Sequence, residues 1–328
     1  MRAITVKTPG PAEALEVTEL PDPSPGRGEL TIDVAYAGVG FVDTMFRSGT
    51  FELPTPFTPG IEATGYVRAV GSDVEGFVPG QPVGALLNDF GRTMRAGGYA
   101  EIAVAHATMA TRLPDDADLA RVCAVLVNGG TAWTVLHDLA RLDVRDRVLI
   151  LGASGGLGEV AARVAAIRPA RSVIGVFGRA LPRARPDLPW TDTVLAADLD
   201  ATIADLTEGH GVDVVIDPVG GALRETAYGH LAPFGRQIVV GNASGEDRTI
   251  SADSAWANSR QVIGFSQGGT AHLVPDRVQS ALSAIVDLTH RGLLGTDAPA
   301  VVPLDEAAEV HRALEDRRAP VKTVLRVR

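Results

Sequence analysis

The sequence predicts an α/β protein in which a parallel-sheet domain is inserted within a β-rich one. Three observations carry this expectation. Wholly apolar strand runs alternate with helical segments in the middle of the chain. The first third is built from β-branched, alternating runs separated by turns. The C-terminal stretch 268–328 is too short to bury a core alone, so it is expected to pack back onto the first region. The expected division is therefore 1–122 plus 268–328 for the β-rich domain and 123–267 for the inserted one. A length of 328 residues fits two domains.

In chain order, Ala3–Val6, Leu30–Ala37 and Ile61–Val70 read as strands. Turn-rich runs such as 21–28 and Pro79-Gly80 divide them. Apolar residues at helical spacing predict a helix over Leu119–Leu142. Arg147–Leu151 is a short apolar run of the kind that forms a strand buried on both faces. A glycine-rich turn and the helix Glu159–Ile167 follow. Ser172–Phe177, Val212–Ile216, Arg236–Val240 and Val262–Phe265 supply four further strands. Helices over Arg277–Arg291 and Glu306–Asp316 and a strand over Val321–Val327 complete the chain.

Composition narrows the function classes. Hydrophobic residues make up 45% and charged residues 21%, enough apolar side chains for a sizeable core. The net charge of −10 disfavours nucleic acid as a partner. No run approaches the length of a membrane span, and the first residues do not resemble a signal peptide. A cytoplasmic location is expected. The single cysteine, Cys123, excludes an intramolecular disulfide and any zinc site built on several cysteines. Only Lys7 and Lys322 are lysines, so a basic ligand site must rely on arginine.

The strongest motif is Leu149-Ile-Leu-Gly-Ala-Ser-Gly-Gly-Leu-Gly158, between a predicted strand and a predicted helix. That is the context in which a G-x-G-x-x-G pattern binds a dinucleotide. Ala153 stands at its first glycine position, with Gly152 just before. Ser154, Gly155, Gly156, Leu157 and Gly158 are the candidate pyrophosphate contacts, because helix-start N–H groups bind anions. The second strand ends Phe177-Gly178-Arg179, and no acid follows until Asp187. An acid there would hold a ribose 2′-hydroxyl. Its absence, with Arg179 and Arg183 in its place, favours a 2′-phosphate and thus NADPH.

Gly38–Gly49, Phe57–Gly65, Gly97–Glu101, Gly152–Gly158, Val212–Gly221 and Gly241–Gly245 are collinear motifs. Together they resemble the zinc-free quinone oxidoreductase branch of the medium-chain dehydrogenase/reductase superfamily. The resemblance implies a GroES-like β domain with a Rossmann domain inserted in it. It also implies a homodimer paired through the Rossmann sheet edge, here Val262–Phe265. Zinc-dependent relatives carry a cysteine in the first motif and a histidine where Ile61 stands, so no metal is expected.

By the same resemblance, Thr131, Val219, Gly241, Asn242, Ala243, Phe265 and Ser266 meet the nicotinamide end of the cofactor. Lys322 also reaches it. Phe265 reads equally well as a core aromatic. The substrate pocket falls on Gly40, Phe41, Met45 and Phe51, with the loop Asn88–Gly97 as a candidate rim. A family Tyr that often flanks the adenine phosphate corresponds to Ala197, and at the pocket the family often has Asn at Gly40, Tyr at Met45 and Tyr near Phe51. Those losses imply an apolar, roomy pocket. The implied activity is NADPH-dependent hydride transfer to a quinone or other conjugated carbonyl, with a bulky acceptor.

No residue presents itself as a general acid, so the catalytic residues are left open. Asp43 reads first as a helix cap and Glu62 as a buried carboxylate paired with an arginine. Tyr99 is expected at a domain junction. His137 has no nucleophile near it in sequence, which leaves a hydrolase triad unsupported. Two alternatives stay open: an enoyl or 2-alkenal double-bond reductase, and a non-catalytic NADPH-binding sensor or partner protein.

Overall fold

Arg147–Leu151 is buried along its whole length, as a strand covered on both faces must be. Around it the chain builds a six-stranded sheet. From edge to edge the order is Asp192–Leu195, Ser172–Phe177, Arg147–Leu151, Val212–Asp217, Leu231–Val239 and Gln261–Gly264. Every neighbouring pair is parallel. Numbered along the chain, the strands run 3-2-1-4-5-6, the doubly wound dinucleotide-binding order. The order reverses between the first and fourth strands, so the crevice for a ligand opens beyond Leu151 and Asp217.

The computed structural model describes residues 1–87, 97–179, 188–295, 297–318 and 322–328. Two units divide it: Met1–Gly130 with Gly268–Arg328, and Thr131–Gln267. The first boundary lies after the expected 122/123. The reason is local: Val122 and Leu126 pack with Leu86, Leu282 and Val286, all in the first unit.

The first unit is a mixed sheet of seven strands plus a two-stranded ribbon. Its order is Ala300–Pro303, Thr323–Arg326, Glu29–Gly38, Glu62–Val70, Pro82–Leu86 and Ala110–Arg112, with Ile102–His106 also paired to Glu29–Gly38. The C-terminal strand thus closes onto the N-terminal region, with Leu325 opposite Ala37. Ile4, Leu30, Ile32, Val34, Val67, Leu304 and Leu325 share one core. Arg2–Thr5 pairs with Glu16–Glu19 as the ribbon.

Several elements depart from expectation. The helix expected over Leu119–Leu142 is three pieces: Leu119–Cys123, Leu126–Trp133 and a π-helical turn over Thr134–Leu139. Ala140 N–H reaches back five residues to Val135 O at 2.7 Å, so the ladder widens there. The strand Asp192–Leu195 has too few apolar residues to announce itself, yet it completes the sheet edge. Leu231–Val239 starts five residues before the expected Arg236. It is irregular, with a register shift opposite Val212/Val214 and Phe234 at φ 65°. No helix among the described residues is long and apolar enough to cross a membrane.

At the base of the inserted sheet Arg236 forms a fork with Asp146, at 2.6 and 3.2 Å, and donates to Ala140 O at 2.7 Å. Both side chains are nearly buried. Removing one partner strands the other charge, which typically costs about 3–5 kcal/mol. Asp146→Ala is expected to lower the unfolding free energy by about that amount in urea titration. A loss under 1 kcal/mol would show the fork to be solvated.

Candidate functional site

The glycine turn sits at the end of the Arg147–Leu151 strand. Gly152 has φ +65°, a conformation side chains disfavour. It supplies the tight turn, while Ala153 is fully buried, donating to Val176 O at 2.9 Å. The alanine at the pattern's first position is therefore a core residue, and the glycine before it makes the turn. A Cβ on Gly158 would lie 2.6 Å from Gly152 O and 2.8 Å from Ala153 Cα. Only glycine lets the helix start this close to the strand. Helix Gly156–Ile167 begins there, with Gly155 as its N-cap and no side chain capping it. Ser154, Gly155 and Gly156 are exposed and Leu157 half-buried. The helix-start N–H groups face an open cradle with a positive dipole end. That geometry fits a pyrophosphate.

Several other residues expected at the cofactor lie beyond the ends of the same strands. A Cβ on Gly152 would touch Val219 Cγ2 at 3.1 Å. Ala243 N–H donates to Pro218 O at 3.1 Å and Ser244 N–H to Val219 O at 2.8 Å, so the Val219 and Gly241–Ala243 loops run together. Phe265 N–H donates to Val239 O at 2.9 Å, which places Phe265 and Ser266 beyond the same strand ends. Phe265 is half-buried. Thr131 Oγ1 donates to Gln267 Oε1 at 2.7 Å, next to Ser266. Gly178 and Arg179 are exposed at the end of the second strand. Among the described residues Arg179 has no hydrogen-bond or ion-pair partner. Arg183 lies outside the described residues.

In the first unit the expected pocket residues lie on and beside one helix. Gly40 is the N-cap of the helix Phe41–Ser48. Phe51 N–H donates to Met45 O at 3.2 Å, and the Phe51 ring lies 5.8 Å from that of Phe46. Phe41 and Phe51 are 41% and 37% exposed, which is high for phenylalanine. Of the expected rim, 88–96 lies outside the described residues. Gly98 N–H donates to Gly60 O at 2.8 Å, tying the Gly97–Tyr99 motif to the Pro59-Gly60 turn.

A buried polar cluster backs this helix. Asp43 is completely buried and accepts from Gly40 N–H at 2.8 Å and Gly60 N–H at 3.2 Å. It is a cap, as expected, and also a clamp on the turn that precedes Glu62. Burial pushes its carboxyl up to about 7, aided by the Glu62 charge and opposed by the Gly40 N–H and Lys322. Glu62 Oε1 accepts from Lys322 Nζ at 2.6 Å, and its Oε2 accepts from Val127 N–H at 2.8 Å. Its partner is thus the lysine and not an arginine; the arginine-rich composition pointed elsewhere. Gly38 leaves the room: a Cβ there would sit 2.2 Å from Glu62 Oε1. Lys322 also donates to Val39 O at 2.9 Å, beside Gly40. Burial works against its ammonium, but Glu62 outweighs it and holds Lys322 above the usual range.

Tyr99 is fully buried in the first unit's core and hydrogen-bonds His311 Nε2 at 3.1 Å. Burial, with Arg47 nearby, holds His311 down at about 3. Arg47 pairs with Glu315. Cys123 is buried, and burial drives its thiol well above the usual range, which leaves it inert. Among the described residues no group of three or more His, Cys, Asp or Glu side chains could hold a metal ion. The ring of His137 stacks on Trp133, and its Nδ1 pairs with Asp138 at 2.8 Å.

Sequence reasoning missed Asp217, Arg224 and Gln237, a buried network at the end of the fourth strand. The one sequence signal was a charged residue closing the otherwise apolar run Val214–Ile216.

The comparisons agree with this architecture. Residues 26–115 match the alcohol dehydrogenase GroES-like domain, and residues 191–325 match a family described as zinc-binding dehydrogenase. A probable quinone oxidoreductase of Schizosaccharomyces pombe is 30% identical over 98% of this chain and 96% of its own. A mycobacterial protein solved in complex with NADPH superposes with a TM-score of 0.88 at 26% identity, covering both chains fully. A quinone oxidoreductase of Pseudomonas syringae superposes with a TM-score of 0.88 at 25% identity over 99% of each chain. The fold and the glycine cradle define a medium-chain dehydrogenase/reductase. Within that superfamily, the chain belongs to the quinone oxidoreductase family.

Asp43 gives a signed pH dependence. A carboxyl raised from its ordinary 3.8 to about 7 binds its proton more tightly in the folded chain. The stability it contributes is complete below about pH 4 and is lost as pH rises through 7. Relative to Asp43→Asn, the parent is expected to lose up to about 4 kcal/mol between pH 4 and 8, at about 1.36 kcal/mol per pKa unit. Urea titrations of both proteins across that range measure it. A pH-independent difference would mean that Asp43 stays ionised throughout.

Proposed function

We propose that the chain is an NADPH-dependent reductase of quinones or other conjugated carbonyls, acting without a metal. The single observation that carries the proposal is the cradle at Gly152–Gly158. It has open helix-start N–H groups and no room for a Cβ at Gly158. Ser154–Gly158 would hold the pyrophosphate, and Arg179 the 2′-phosphate. Thr131, Val219, Gly241–Ala243, Phe265 and Ser266 would line the nicotinamide end. Bound NADPH supplies a hydride from its nicotinamide ring. The S. pombe and P. syringae relatives are described as quinone oxidoreductases, and the mycobacterial neighbour was solved with NADPH.

The chain's own contribution is orientation. An electron-poor acceptor delocalises the incoming charge as a phenolate or enolate, so a Lewis acid is dispensable. Holding two reactants in line can supply about 7–11 kcal/mol of barrier lowering. Ile61 stands where zinc enzymes of the superfamily carry histidine, which supports the metal-free reading. Gly40, Phe41, Met45 and Phe51 form an apolar surface for a bulky acceptor. Lys322 acts there by pairing with Glu62 and by fixing Val39, next to Gly40 in sequence. We further assign a homodimer joined along Gln261–Gly264. That edge strand is mostly exposed, with Val262 at 44% and nearby Trp256 at 82%.

NADPH oxidation followed by its absorbance against quinones, enones and 2-alkenals tests the activity. Rates are expected to be highest with polycyclic quinones and unchanged after dialysis against a chelator. Binding of NADPH with no acceptor consumed would favour a sensor. For the cofactor, Arg179→Ala is expected to weaken NADPH about ten- to a hundredfold while leaving NADH unaltered, the loss of one charged hydrogen-bonded contact. Equal affinity of the parent for both cofactors would sink the NADPH assignment. Val262→Asp is expected to yield a monomer by light scattering; a monomeric parent would refute the dimer.

A further inference from the structure

We propose that Asp217 and Arg224 are positioning residues for hydride transfer. They join the two loops expected at the nicotinamide end into one rigid wall. The inference rests on the proposed placement of Val219 and Gly241–Ala243 at that end, and it deepens that reading.

Asp217 closes the fourth strand, where the strand order reverses, and is completely buried. Its Oδ1 accepts from the N–H groups of Val219 at 2.9 Å and Gly220 at 2.8 Å. Its Oδ2 accepts from Arg224 Nε and from Gln237 Nε2, the latter at 3.2 Å. Arg224, nearly as buried, turns its Nη2 to Gly241 O at 2.7 Å. One carboxylate thus grips the Pro218–Gly221 loop directly. Through one guanidinium it also grips the Gly241 loop. Backbone bonds then zip the loops together, and Gly221 N–H adds a contact to Glu246 O at 3.1 Å.

The fit leaves little slack. Gly220 has φ +77°, and a Cβ there would lie 2.2 Å from Asn242 Oδ1 and 3.1 Å from Arg224 Nη2. None of these polar groups touches the open cradle at Gly155, so the network has no part in holding the pyrophosphate. Its effect falls on the register of the wall against which the nicotinamide lies. A small misplacement of reacting atoms is costly in rate though cheap in binding.

Asp217→Asn tests this, with Gly220→Ala as a second variant that wedges the loops apart and crowds Arg224 Nη2 while leaving both charges in place. NADPH affinity by fluorescence titration is expected to stay within about threefold of the parent. The turnover number should fall at least about tenfold, with a larger isotope effect from C4-deuterated NADPH as hydride transfer becomes rate-limiting. Without any substrate, hydrogen exchange of the amides in 218–221 and 241–245 should quicken at least about tenfold. Unchanged turnover, isotope effect and exchange would overturn the proposal. A parallel loss of affinity and turnover with no change in isotope effect would also overturn it, since that marks general destabilisation. If Asp217→Asn fails to fold, Gly220→Ala is judged by the same three readouts. Val219→Trp separates the two layers. If it leaves NADPH oxidation intact, the placement of the loop fails; if it blocks oxidation while Asp217→Asn behaves as the parent, only the positioning role fails.

Discussion

Backbone must meet backbone at the end of the Arg147–Leu151 strand, and much of the inserted domain follows from that constraint. A helix can start against a buried strand only where no side chain intervenes. Gly158 meets that need, since any Cβ would collide with Gly152 O. Gly152 turns the chain through a left-handed conformation. The consequence is electrostatic: unsatisfied N–H groups at the helix start are presented to solvent and to no side chain. A fold that leaves such groups open forms an anion site as a by-product of its packing.

The two units manage buried charge in related ways. In the first, Glu62 and Lys322 pair within the core and spend their remaining valences on Val127 N–H and Val39 O. In the second, Asp217 and Arg224 do the same with Val219, Gly220 and Gly241. Neither pair is a stability device in the first instance, because desolvation cancels much of the attraction. What each provides is geometry: a backbone loop is held by a partner that has few other rotamers. Asp43 differs, since it has no direct cation, and burial leaves its carboxyl close to neutral.

Much of this was legible in the sequence. The apolar runs gave five of the six strands of the parallel sheet, because a strand buried on both faces has to be apolar throughout. The glycine turn was legible because only glycine satisfies its two tight positions. Asp192–Leu195 was not, since an edge strand needs little apolar surface. The π-helical turn at Thr134–Leu139 was hidden too, as its periodicity barely differs from an α-helix over so short a run. Polar networks were the least visible. Glu62 and Asp217 could be seen as charges in apolar surroundings, but their partners come from residues far away in the chain, and an arginine-rich composition offered many false ones.

The cradle carries the cofactor assignment. Gly155 is its exposed N-cap, with an extended backbone that valine can adopt, and a Cβ there would meet Gly152 O at 3.2 Å, a tight contact relieved if the turn gives by a few tenths of an ångström. The decisive measurement is the dissociation constant of NADPH for Gly155→Val beside the parent, with melting temperatures recorded for both. The expected result is a folded protein, with a melting temperature within a few degrees of the parent, whose affinity falls at least about a hundredfold. An affinity within threefold of the parent would contradict it, because the dinucleotide would then bind somewhere other than the turn.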